Sequence, residues 1–304
     1  MISRRQFLRW LATLGATGAL LATYGVVIEP LLRTRVARYS LRPKRWPEGL
    51  ELTIAAVADI HACRPWMTAE HIGSIVELTN GLGADVIVLL GDYVGGHRLA
   101  TGRVAAKDWA AELSQLKAPL GVHAILGNHE WWEDRRVQQS GQGPPRSRGA
   151  LEAVGIPVYD NEVVRLSKAG HAFWLAGLGD QLAFWPSRRR TPGRRLGVDD
   201  LAGTLAKVTD DGPIILLAHE PDIAVRVSDR VALTLSGHTH GGQVRLFGWS
   251  PIVPSRYGNR FAYGHVRAAC DLIVSGGLGC SIVPFRFGVP PEVVLVTLGR
   301  GKMA

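Results

Sequence analysis

The chain has 304 residues, 46% hydrophobic and 20% charged, which is enough apolar length for one substantial core and too much for a disordered or collagen-like chain. Its formal charge of +9 is concentrated at one end: residues 1–45 hold nine Lys/Arg and one acid, and the remainder has 26 bases to 25 acids. A nearly neutral body lacks the broad basic surface that phosphate-backbone binding needs, so nucleic acid is excluded as a main partner.

At the amino end, Ser3-Arg4-Arg5-Gln6-Phe7-Leu8 leads into nineteen uncharged residues, Trp10 to Ile28. Paired arginines before such a run resemble a twin-arginine export signal, an address read by a receptor, and a plain membrane anchor has the same length. Export is the preferred reading. It makes the twin-arginine machinery a partner and puts the body on the outer face of the cytoplasmic membrane. Arg33, Arg35, Arg38, Arg42, Lys44 and Arg45 argue the other way, because flanking bases favour the cytoplasmic side. No small-x-small cleavage site follows Ile28, so the segment can remain as an anchor. Residues 1–45 are read as signal or anchor plus basic linker, and 46–304 as one folded domain.

From Leu52 short apolar runs alternate with longer amphipathic stretches, the rhythm of a sheet flanked by helices. Strands are predicted at Leu52–Ala58, Asp85–Leu90, Val122–Leu126, Ala172–Leu178, Ile214–Ala218, Ala232–Leu235, Leu272–Val274 and Val293–Leu298. Helices are predicted at Thr68–Leu82, Val104–Leu116, Arg148–Val154 and Asp199–Val208. Thr68 is a suitable N-cap, and Gly81 and Gly83 a suitable stop. Asp134–Arg148 and Gln181–Gly197, rich in Arg, Gly and Pro, read as surface loops. Cys63, Cys270 and Cys280 are too few for a disulfide framework and read as buried free thiols, with Cys270–Cys280 the one plausible pairing.

In open α/β sheets function gathers at the carboxyl ends of strands. The first predicted strand runs into Asp59-Ile60-His61, whose i, i+2 spacing puts both side chains on one side. The second ends in Gly91-Asp92, the third in Gly127-Asn128-His129-Glu130, a later one in His219, and the next in Gly237-His238-Thr239-His240. A single Asp-x-His or Gly-Asp is more often a cap or a turn. Five such fragments at five strand ends, all with carboxylate, amide or imidazole donors and none with thiolate, point instead to divalent cations that neutralise them together.

Together these fragments resemble the ordered motifs of calcineurin-like metallophosphoesterases, from Leu52 to the carboxyl end. The ending Gly276–Gly279 with Pro284–Glu292, the Gly241-Gly242-Gln243 turn and the N-terminal signal resemble the bacterial membrane-associated branch. The resemblance implies an α/β fold, a β-sheet sandwich flanked by helices. It implies two divalent metal ions, with Mn, Zn and Fe all suited to an N/O donor set. Asp59, His61 and His240 would hold the first ion, Asn128, His219 and His238 the second, and Asp92 would bridge. His129 would face the substrate phosphate and act with Asn128 in catalysis; Glu130 stands where many relatives have Asp. The implied reaction is attack on phosphorus by a hydroxide shared between the ions, in a phosphodiesterase. The substrate would be a phosphoester or pyrophosphate, with lipid-linked and cell-envelope compounds among the candidates. The alternative is a UDP-2,3-diacylglucosamine pyrophosphatase of lipid A synthesis, which needs the body inside the cell.

His71, His97, His123, His171 and His265 lie outside the motifs and read as surface or structural histidines, and Cys63 as a small buried residue. Trp131 and Trp132 either wall the pocket or pack beneath it. Arg188, Arg189, Arg190, Arg194 and Arg195, near Phe184 and Trp185, read as a solvated charge run, with contact to anionic lipid head groups as the alternative.

Overall fold

The computed structural model describes residues 3–185 and 196–299. The basic run from Arg188 to Arg195 lies outside the described residues.

Alternation along the strands sets the architecture. In Leu52–Val57 (β2), Leu52, Ile54 and Ala56 face one apolar cluster and Ala55 and Val57 another, so this strand needs cover on both faces. The cover on one face is a second sheet. The first sheet contains Arg35–Leu41 (β1), β2, Val86–Leu89 (β4), Val122–Ala124 (β6) and Glu292–Leu298 (β13), in the order β1-β13-β2-β4-β6. The second contains Glu162–Lys168 (β7), His171–Gly177 (β8), Ile214–Leu217 (β9), Val231–Ser236 (β10), Gly264–Arg267 (β11) and Asp271–Val274 (β12), in the order β11-β12-β10-β9-β8-β7. Cys63–Arg64 (β3) and Gly102–Arg103 (β5) form a short separate ribbon.

Leu52, Ile54, Val86 and Val88 of the first sheet meet Phe173, Leu175, Ile215, Leu217 and Leu233 of the second in the central core. Helices Ala69–Asn80 and Ala106–Leu113 cover the outer face of the first sheet through Ile72, Ile75, Val76, Trp109 and Leu113. Leu201, Leu205, Ile223 and Val227 cover the outer face of the second. The result is the expected α/β sandwich with helices outside. β2, β4 and β6 run parallel, as do β8, β9, β10 and β12, which aligns their carboxyl ends.

The helix beginning after Thr68 is capped as expected, the threonine hydroxyl accepting from the His71 amide at 3.3 Å. Three differences from the sequence reading matter. Asp134–Arg148, expected to be a loop, contains helix Arg135–Ser140 and the start of helix Arg146–Ala153. The edge strands β7 and β11 were not anticipated, because half-exposed strands carry too few apolar residues to stand out. Residues 33–45, expected to be a basic linker, contain β1, whose alternating arginines look like a charge run in sequence. β1 pairs in parallel with β13 from Arg35 against Glu292 to Leu41 against Leu298, so the folded sheet begins at Arg35 and not after residue 45.

Before β1 runs a helix from Arg4 to Leu32, α-helical to Thr23, π-helical over Tyr24–Ile28 and α-helical again over Glu29–Leu32. It is long and apolar enough to cross a membrane, and none of Arg4–Thr23 is buried. Its last turns dock on the body. Gly25 accepts a hydrogen bond from the Arg286 amide at 2.8 Å, and a Cβ at Gly25 would overlap the Phe285 ring. The buried Glu29 carboxylate accepts from the amides of Gly288 at 3.0 Å and Val289 at 2.7 Å.

Candidate metal centre

All eight side chains singled out by sequence stand just past the carboxyl end of a strand: Asp59 and His61 after β2, Asp92 after β4, Asn128 and His129 after β6, His219 after β9, and His238 and His240 after β10. Parallel pairing gathers them on one edge of the sandwich, and all line or underlie a single cleft.

The backbone turns sharply to aim them. Asp59, His61, Asp92, His238 and His240 have φ values of 54°, 48°, 56°, 69° and 50°. This left-handed region costs a non-glycine residue on the order of 1 kcal/mol or more and is kept where surroundings enforce it, commonly at functional sites.

The donor atoms converge. Asp59, His61 and His240 present ligand atoms within 4.8 Å of one another, as do Asp92, His219 and His238, and also His61, Asp92 and His129. The Asp92 carboxylate lies between the groups, its Oδ2 3.4 Å from His61 Nε2 and 3.2 Å from His219 Nε2. His61 Nε2 and His240 Nε2 face each other at 3.0 Å, and His238 Nδ1 stands 2.8 Å from Asn128 Oδ1. The His219 ring is oriented by a 2.7 Å hydrogen bond between its Nδ1 and the Leu90 carbonyl, which leaves Nε2 directed into the site.

This arrangement suits divalent cations. Asp59 Oδ2, His61 Nδ1 and His129 Nδ1 are buried with no hydrogen-bond partner among the described residues, and His219 Nε2 has within hydrogen-bond reach only the Asp92 carboxylate, 3.2 Å away, an expensive condition for polar atoms unless a cation compensates. Burial pushes the Asp59 carboxyl up to about 7, with Asp92 reinforcing the shift and His219 opposing it. Burial and neighbouring His129 push His61 down to about 3. Burial opposes the charge of Asp92, yet the imidazoles of His219, His129 and His61 hold it well below the carboxylate range. His240 is held well below the usual histidine value by burial, His61 and Arg286. Burial also lowers His238, whereas the Asp92 carboxylate outweighs burial and holds His219 well above the usual histidine value; imidazole nitrogens beside carboxylate oxygens form a donor set for borderline metals.

Glu130 organises the site from behind, at the first turn of helix Asn128–Trp132. Its Oε2 accepts from the amides of Asp92 and Gly127, each at 2.8 Å, and its Oε1 from Tyr93 at 2.8 Å and Val94 at 3.1 Å. Burial and Asp92 push its carboxyl up to about 8, while these amides favour its charged form. One residue thus ties the Asp92 loop to the Asn128 loop. In sequence it appeared only as a departure from Asp outside the ligand set.

Two further features escaped sequence reading. Arg286, fully buried, donates to the carbonyls of Gly276, Gly279 and Val289, and its Nη2 lies 3.2 Å from His240 Nδ1. An isolated arginine in a Gly- and Pro-rich segment gives no periodic signal. Asp180 and Glu220 are a buried carboxylate pair, and burial followed by the Glu220 charge drives Asp180 well above the usual range.

The cleft has a volume of about 1500 Å³ and includes Asp92, Asn128, His129, His238 and His240 on its floor. Trp132 is part of its wall, 5.4 Å from the His129 ring, whereas Trp131 packs with Val137, Ala183 and Phe184. The two readings of that pair therefore divide between them. His97, taken as structural, also lines the cleft. Cys63, Cys270 and Cys280 are all buried and free.

The calcineurin-like phosphoesterase family model matches residues 52–242, which carry all eight side chains. The chain is 31% identical over 305 residues to the uncharacterized metallophosphoesterase YkuE of Bacillus subtilis, covering 98% of each. It is 30% identical over 270 residues to an uncharacterized metallophosphoesterase of Aquifex aeolicus, covering 88% of this chain and 93% of that one. It is 32% identical over 290 residues to a transmembrane protein with metallophosphoesterase domain of Danio rerio, covering 92% of this chain and 60% of that one. The chain belongs to the calcineurin-like metallophosphoesterases, hydrolases of phosphoric esters that use divalent metals.

Proposed function

We propose that the chain is a phosphodiesterase with a dinuclear metal site, anchored to the cytoplasmic membrane by the helix from Arg4 to Leu32. The supporting observation is the convergence of eight side chains from five strand ends, three of them with orphaned buried polar atoms, at one cleft whose floor includes five of the eight. Asp59, His61 and His240 would hold one ion and Asn128, His219 and His238 the other, with Asp92 shared between them. Bound there, two divalent cations supply Lewis acidity, lowering the pKa of water and neutralising phosphoryl oxygens.

The chain's own residues do the rest. The Asp92 Oδ1 accepts from the His129 amide at 2.9 Å, which fixes the His129 backbone against the centre. The His129 imidazole lines the cleft and delivers a proton to the departing alkoxide. Glu130 and Arg286 are positioning residues, the first for the loops of Asp92 and Asn128 and the second for His240. The Trp132 wall beside His129 limits water around the leaving group.

Location at the membrane is supported by the length and composition of the helix, and retention of the segment by the fit of Gly25 and Glu29 against the body. The Arg4-Arg5 pair supports twin-arginine export, with the domain outside.

Elemental analysis of the purified full chain tests the centre. About two transition-metal ions per chain are expected, with phosphodiesterase activity lost on chelation and restored by Mn or Zn. Active protein without metal and indifferent to chelator would refute it. Asp92→Asn should weaken both sites, whereas His61→Ala should mainly disturb the first.

A further inference from the structure

Two loops on the cleft carry apolar side chains outward. The turn at 246–252 exposes Leu246, Phe247, Trp249 and Ile252, and the loop at 282–283 exposes Ile282 and Val283; Ile252 is 76% and Ile282 67% exposed. Phe247 and Ile282 are also held at φ 50° and 64°. For β-branched Ile282 this is an unfavourable backbone state that displays an unfavourable surface. Such strain is kept where the surrounding structure enforces it, commonly at functional sites, and exposed apolar patches mark protein or membrane contacts.

Both loops adjoin the 285–287 segment, which docks on the end of the N-terminal helix. The Arg245 amide donates to the Phe287 carbonyl at 2.8 Å, the Phe287 amide to Gln243 at 2.8 Å, and the Gln243 side chain to the carbonyls of Val283 and Phe285. Phe285 packs on Gly25, and Phe287 meets Tyr24 edge to face with ring centroids 5.6 Å apart. The exposed apolar loops therefore sit where the helix meets the body. Ile252, Ile282, Val283 and Phe285 line the same cleft as His129, His238 and His240. The cleft is larger than the roughly 300–1000 Å³ typical of sites for small ligands. Arg98 and Arg256 also line it.

We infer that the substrate is a bilayer phospholipid, its phosphodiester at the candidate metal centre and an acyl chain along Ile252, Ile282, Val283 and Phe285. The inference rests on the phosphodiesterase reading and narrows it. The cleft then takes its substrate from the membrane that holds the helix, and the outward apolar loops enter the bilayer surface. The reaction needs only water. Its oxygen forms a new bond to phosphorus, the bond from phosphorus to the alcohol oxygen breaks, and one proton passes to that oxygen, giving a phosphomonoester and an alcohol.

The full chain, metal-loaded and reconstituted in vesicles of phosphatidylglycerol, phosphatidylethanolamine and cardiolipin, is assayed by phosphorus NMR beside bis-p-nitrophenyl phosphate in solution. Hydrolysis of both is expected. In the Ile252→Ser, Ile282→Ser variant the ratio of lipid to nitrophenyl turnover should fall at least about 10-fold, the scale of lost apolar contacts, and the corresponding Leu pair should restore it. Turnover of the soluble ester with none of any vesicle lipid overturns the lipid assignment and leaves the phosphodiesterase. An equal fall in both rates assigns the loops a structural role and overturns it too. No turnover of either probe overturns both readings.

Discussion

Glu130 shows how one side chain can govern a site without touching substrate. Its two oxygens each serve two backbone amides, three of the four buried, and an unpaired buried donor costs about 1–3 kcal/mol. Glu130→Ala should therefore lower stability by at least about 3 kcal/mol and release metal as the Asp92 loop relaxes. Glu130→Gln should fall between, because an amide nitrogen cannot accept and two of the four donors lose their partner; denaturant titration with metal analysis would show that order. His129 separates binding from chemistry. As a proton donor, His129→Ala should keep both ions and lose about 10²–10⁴-fold in turnover, more with an alkyl diester than with an activated aryl ester. Since His129 also stands within 4.8 Å of His61 and Asp92 donors, metal lost from this variant would make it a ligand.

At the scale of elements, Asp85 joins the two sheets. Its Oδ2 accepts from the amide of Thr53 in β2 at 2.7 Å and from Lys168 in β7 at 2.5 Å. Burial opposes its charge, but Lys168 and Thr53 outweigh burial and hold the carboxyl below the usual aspartate range. A depressed folded value means that this stability is present above the unfolded value and is lost as pH falls through the folded one. Asp85→Asn should lower stability near neutrality by on the order of 1 kcal/mol, as for a partly exposed pair. The gap from wild type should close in acid. Thermal melts of both proteins across pH would show it; a constant gap would place the effect in packing.

For the molecule as a whole, the central strands and the ligand-bearing loops are readable because two-sided burial leaves unbroken apolar runs, and five of those runs lead into Asp, Asn or His. What was hidden depends on partners distant in sequence. β1 looks like a solvated basic stretch because its cover, β13, lies more than 250 residues away, and Arg286 and Glu130, though inside the quoted motifs, act through backbone groups of other loops that the motifs do not reveal. The observed boundary is testable. A chain beginning at Arg33 should fold and bind metal. One beginning at Trp46 bares the β13 edge and removes Arg35 from the buried Glu292 carboxylate, 3.1 Å away. It should aggregate or melt well below the longer chain in a thermal scan.

Only Arg33 and Thr34 separate the helix from β1, a span of at most about 7 Å. Long flexible tethers let a domain sweep a volume and encounter whatever is dissolved there. A two-residue splice removes that freedom, and the docking of Gly25 and Glu29 removes the remaining swivel. With the helix in a bilayer, the cleft would keep a constant height and tilt above it, and turnover of anything held in the same leaflet would scale with its density per unit area and its lateral diffusion.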